Sequence, residues 1–148
     1  MDLFLGDSVA AKRLVSEFHE NRIFKQVEPD GKMPRELTRT RALGYSAFNV
    51  KHMLEMSEMA RDLDTSFYAK TSPDGRCIGA AVDYIARYLG KNPKDFFPYR
   101  QIADWDKCME EIAWIVKWAS VFDSTKGYIS MFEKHSLGMA DDVNQLLY

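Results

Sequence analysis

Apolar residues recur three and four positions apart along most of this sequence, and no stretch sustains the alternation that a half-buried strand needs. A side-chain period near 3.6 gathers apolar groups on one face only in a helix, so this pattern is the tightest constraint on the fold. In "DWDKCMEEIAWIVKWASVF" (104–122) it puts Trp105, Cys108 or Met109, Ile112, Val116 and Ala119 on one side. "VAAKRLVSEFHENRIFKQV" (9–27) reads as an earlier helix capped by Asp7 and Ser8, with Leu14, Val15 and Phe18 at helical spacing. A second helix is expected over about residues 42–62, with Phe48, Asn49, His52, Met53, Met56 and Met59 or Ala60 along one side. A third, "RCIGAAVDYIARYLG", ends at Gly90, and "MADDVNQLLY" is a short terminal helix or tail.

Between these segments lie breakers. "EPDGK" and "TSPDG" are turn sequences, and "KNPKDFFPYRQI" is an aromatic, proline-broken connection. The "PDG" tripeptide at 29–31 and again at 73–75 precedes a helix each time, which suggests a repeated helix-pair unit. The reading is all-α, built from antiparallel helix pairs, with residues 1–148 forming one helical domain. Helix-hairpin arrays bury their faces against neighbouring units. The aromatic and methionine-rich helices here are therefore expected to expose apolar surface unless a second copy, or a part preceding residue 1, covers it.

The formal net charge of −2 gives no global attraction to nucleic acid or anionic lipid, so any anion binding has to be local. No run approaches the ~20 apolar residues needed to span a membrane, and "MDLFLGDSVAAKRL" lacks a signal-peptide pattern. His19, His52 and His135 share no short spacing, and Cys77 and Cys108 have none typical of metal ligands. Neither a metal nor a cofactor is expected, and the thiols and the methionines at 53, 56 and 59 read as core filling.

One stretch resists a purely structural reading. "DGKMPRELTRTRALGY" (30–45) crowds Arg35, Arg39 and Arg41 just ahead of Tyr45, where a helix begins. The N-terminal end of a helix dipole is positive and favours acids there. The arginines either pair with local carboxylates or await an anion from outside the chain.

Extended to "PRELTRTRALGYSAFNVKHMLEMSEMA", and taken with "SFYAKTSPDGRCIGAAVDYI" and "FFPYRQI", this block resembles the C-terminal part of the alginate lyase superfamily. The resemblance runs from about residue 8 to residue 120 and is most specific between Arg39 and Tyr45. It implies an incomplete α/α toroid and β-elimination on a uronic-acid polymer, an acidic polysaccharide partner, and a periplasmic or secreted setting. In that reaction the sugar carboxylate is neutralised, a base removes the C5 proton, and an acid protonates the O4 leaving group. By the match, Tyr45 is base, acid or both, and Arg39 is the basic group beside it. The chemistry suits these residue types, because a free tyrosine has a pKa of ~10 and a neighbouring guanidinium favours its charged form. Charge-assisted hydrogen bonds to the developing enolate lower the barrier further.

The family also carries an Asn–His pair on an earlier helix, which would fall before residue 1. His19 lies near Asn21 in the opposite order. The resemblance therefore implies the C-terminal portion of a larger toroid, inactive or impaired by itself.

Around Tyr45, Arg41 can touch substrate or pair with an acid, and Asn49 can bind substrate or sit hydrogen-bonded in the core beside His52. Tyr99 and Gln101 follow Phe96 and Phe97 in a loop that the resemblance places near the cleft; the phenylalanines can equally anchor that loop. Tyr68 and Lys70 can reach an acidic polymer, whereas Trp114 and Trp118 read as helix packing. The reading from a different class is a non-catalytic helical carbohydrate-binding or interaction module. A nucleic-acid-binding domain fits least, for want of a basic helix.

Overall fold

The computed structural model describes residues 8–64, 66–89 and 96–136, and among them every regular element is helical. Helix α1 (Ser8–Phe18) passes through a π-helical turn (His19–Ile23) into the short α2 (Phe24–Gln26). The π turn has a physical cause. Ala11, Val15, His19, Ile23 and Val27 are all buried and stand four residues apart. On an α-helix each step of four over-rotates by roughly 40°, and the wider π turn cancels that drift and keeps the stripe on one face. Leu14, expected in the stripe, lies off this line and is 57% exposed. Asp7, the expected cap, lies outside the described residues.

The first turn follows, with Gly31 at φ 83°. A Cβ there would lie 1.9 Å from the Ala80 carbonyl oxygen, so only glycine lets the turn seat itself on the helix beneath. Helix α3 (Pro34–Leu37) starts with proline at its first position, where the missing N–H costs nothing.

Helix α4 (Ala42–Ala60) is the central element and packs against α3, α5 (Ile78–Ala86) and α6 (Trp105–Ala119). Its buried side is Leu43, Ala47, Val50 and Leu54, all with no exposure, together with Met53 and Ala60. Ser46 and Ser57 share that side and donate to the carbonyls of Ala42 and Met53, four residues back, each at 2.8 Å, so neither hydroxyl is left unpaired. The expected face is corrected here: Phe48, His52 and Met59 point outward, and only Met53, Ala60 and, in part, Met56 reach the core.

The second turn carries Gly75 at φ 97° and is strapped to the first. Arg76 donates to the Phe24 and Val27 carbonyls at 3.3 and 3.2 Å and pairs with Glu28 at 3.0 Å. Cys77 caps α5, its Sγ accepting from the Ala80 N–H at 3.3 Å. The helix ends at Ala86, and Gly90, its expected end, lies outside the described residues. Helix α6 has the apolar face read from its sequence, with Cys108, Ile112, Val116 and Ala119 buried. Helix α7 (Tyr128–Ser136), not anticipated, packs on α6 through Trp114 and Phe132, whose rings are 4.8 Å apart. It is tied to α5 by the Tyr128 hydroxyl, which donates to Asp83 at 2.6 Å. The tail expected at 139–148 lies outside the described residues. No described helix is long and apolar enough to cross a membrane.

Candidate functional site

The site begins with how α4 is started. The segment before it pairs with a distant loop: the Ala42 N–H donates to the Arg100 carbonyl at 2.9 Å, and the Ile102 N–H to the Thr40 carbonyl at 3.1 Å. The Gln101 side chain finishes the cap. Its Oε1 accepts from the Leu43 and Gly44 N–H groups, both at 3.2 Å, while its Nε2 donates to the Ala103 carbonyl at 2.7 Å. With the Tyr45 N–H donating to the Arg41 carbonyl at 2.9 Å, the first four amides of the helix are occupied internally. An anion at this end has to be met by side chains. Gln101, a substrate-binding candidate from the sequence, is buried and engaged in holding the helix start.

The arginines supply those side chains. Arg39 lies over the Tyr45 ring, its guanidinium carbon 3.9 Å from the centroid, and Glu36 lies 3.9 Å from Arg39. The sequence-predicted pair is thus in direct contact. Arg41 pairs with Asp104, which occupies the N-cap position of α6 in the left-handed conformation (φ 60°, ψ 36°). Asp104 alone among the described non-glycine residues has positive φ. Its carboxylate turns to Arg41 and makes no cap bond to its own helix. The pair joins the N-terminal ends of α4 and α6, so the two helices start at the same end of the molecule.

Between those ends lies an open hollow of ≈ 320 Å³. Helix α4 and its cap residue line it with Arg41, Gly44, Tyr45 and Phe48; α6 and its cap line it with Asp104, Lys107, Cys108 and Glu111. Burial pushes the Cys108 thiol up to about 12, so it stays protonated at neutral pH and is no nucleophile. The remaining groups provide a phenol, an exposed aromatic ring, the cations Arg41 and Lys107 to meet a carboxylate, and the carboxylates Asp104, which holds Arg41, and Glu111. Among the described residues there is no group of three or more His, Cys, Asp or Glu arranged to hold a metal ion.

Other candidates fall elsewhere. Asn49 is half-buried one turn beyond Tyr45 and does not line the hollow. Tyr99 packs on Phe97 (5.6 Å between centroids), also outside it. Phe97 is buried against Tyr88 and Trp105 and anchors the loop, whereas Phe96 is 64% exposed. Tyr68 is buried and stacked on Phe122, and Trp114 is packed on Phe132. His19 is fully enclosed between Phe24 and Phe67 and takes no part in the hollow.

Sequence reading missed Phe48, Asp104, Lys107 and Glu111. A signal existed for the last three, because positions 104, 107 or 108, and 111 recur at helical spacing beside the apolar stripe of α6. Nothing in the sequence shows that this stripe faces Tyr45.

The family model described as alginate lyase matches residues 2–96. Among solved structures, the chain is similar to an alginate lyase from Bacteroides ovatus, with 45% sequence identity and a TM-score of 0.86. That similarity covers 90% of this chain and 35% of the other, so the chain spans about a third of the solved relative's length. Comparison with curated proteins finds no match.

Proposed function

The chain belongs to the alginate lyase family, and on that premise we propose that its hollow is part of a site for β-elimination on a uronate-containing polysaccharide. One observation carries the reading: the Arg39 guanidinium lies on the ring of Tyr45 at the edge of an open hollow. Tyr45 takes the C5 proton, returns one to the O4 leaving group, or does both. Arg39 offsets the negative charge that develops as the proton leaves. Arg41 meets the sugar carboxylate. Its ion pair with Asp104 is about half exposed on both sides, and such pairs are worth only about 0–1 kcal/mol, so a substrate carboxylate can displace it at little cost. Gln101 serves the site as a positioning residue by fixing the start of the helix that carries Tyr45. Removing a C5 proton also needs the carboxylate neutralised more completely than one shared arginine manages. The Asn–His pair implied by the resemblance would supply that from outside this chain, so the chain by itself holds part of the site and is inactive or impaired.

A chimaera tests this, with residues 8–136 replacing the matching third of the solved relative. Incubated with alginate and other polyuronates, it is expected to generate unsaturated uronide, read as ultraviolet absorbance, and Tyr45→Phe is expected to abolish that signal. A chimaera that binds polyuronate but never forms the unsaturated end would overturn the lyase reading in favour of a non-catalytic carbohydrate-binding module.

A further inference from the structure

Phe48 belongs by composition to a core, yet the fold leaves it 54% exposed at the rim of the hollow. It stands three residues beyond Tyr45, on the next turn of α4, so the two rings lie on adjacent turns of one surface. Its position is reinforced. The His52 ring packs against it with centroids 4.2 Å apart, and the His52 Nδ1–H donates to the Phe48 carbonyl at 2.7 Å. Glu55 lies 3.8 Å from Nε2 at the other end of the imidazole. An exposed large aromatic supported from behind, and continuous with a hollow that already holds a phenol and cations, is surface kept for a ligand.

We propose that Phe48, backed by His52, is a stacking platform for a uronate ring next to the one at Tyr45, making α4 the track along which an acidic polysaccharide lies. The proposal rests on the lyase reading above and adds a second sugar position to it. Two features of the site fit such an occupant. The apolar faces of pyranose rings stack on aromatic planes, which a phenylalanine provides without adding charge. Arg39 lies on the Tyr45 ring, and Arg41 and Lys107 line the hollow that Tyr45 and Phe48 share, so the polymer is gripped by charge in the hollow and by contact area at the platform.

The test is calorimetric titration of the 148-residue chain with a hexameric oligouronate and with the uronate monosaccharide. Phe48→Ala is expected to weaken hexamer binding by about three- to ten-fold and to change monosaccharide binding by less than ~2-fold, because a single ring held at Tyr45 does not reach the platform. Phe48→Trp, which keeps an aromatic plane, is expected to restore the hexamer affinity; circular dichroism checks that each variant is folded. Hexamer binding by folded Phe48→Ala within ~2-fold of the parent would overturn the platform while leaving the lyase reading in place. Failure of the parent chain to bind the hexamer would overturn the platform as a feature of this chain, and the chimaera assay then decides the lyase reading separately.

Discussion

The two sides of α4 both carry apolar residues and meet opposite fates. One side, Leu43, Ala47, Val50 and Leu54, is sealed completely. The other carries Tyr45, Phe48, His52 and Met59 and stays open at the hollow and along the helix beyond it. What separates them is branching and size. The sealed side is made of compact aliphatic residues that let α5 and α6 approach closely, whereas the open side has large, unbranched or aromatic groups. The sealed side holds the fold together, and the open side is free to serve a ligand.

That division can be challenged directly. Leu54→Ala is expected to cost about 3 kcal/mol of unfolding free energy, measured by urea denaturation, while Phe48→Ala on the open side costs under ~0.5 kcal/mol. Comparable losses from both would mean that the open side is structural after all.

A smaller effect is expected where the helix start is tied down. Gln101→Ala leaves the Leu43 and Gly44 amides without their acceptor and is expected to cost about 1–2 kcal/mol. It should also loosen Tyr45, so in the active chimaera kcat falls more than KM rises. A stability loss with unchanged kcat would confine Gln101 to the scaffold.

The smallest effect concerns pH and the buried His19. His19 has no exposure; its Nε2–H donates to the Phe67 carbonyl at 2.8 Å, and its Nδ1 has no partner. Burial lowers its pKa below the usual value, outweighing the carbonyl contact, which raises it. The unfolded chain therefore binds the proton more readily than the folded one. The stability that His19 contributes is full above about pH 6.5 and is lost as pH falls through the lower folded value. Unfolding at pH 7.5 and pH 5 should show a drop in the parent that is smaller in His19→Gln. An equal drop in both would assign the acid sensitivity to other groups.

Much of the architecture was legible in the sequence because it is local. Helical spacing located α4 and the apolar face of α6, and the two Pro-Asp-Gly turns marked where the chain reverses. The outward side of α4 was misread because Phe48 and Met59 are apolar, and hydrophobicity alone does not say which of two apolar faces a neighbour covers. Helix α7 was missed because the groups that anchor it, Trp114 under Phe132 and Asp83 at Tyr128, lie on other elements.

The site divides along the same line. The sequence pointed to the family through the resemblance carried by its arginine-to-tyrosine block, that resemblance paired Arg39 with Tyr45, and a separation of six residues permits a long side chain to reach back. Only the tertiary structure decided that Asp104 holds Arg41, that Gln101 caps the helix bearing Tyr45, and that Phe48 faces the hollow. Each of those contacts joins segments far apart along the chain or depends on which helix packs where. Local spacing carries no information about either; the closing of α4 against α6 supplies it.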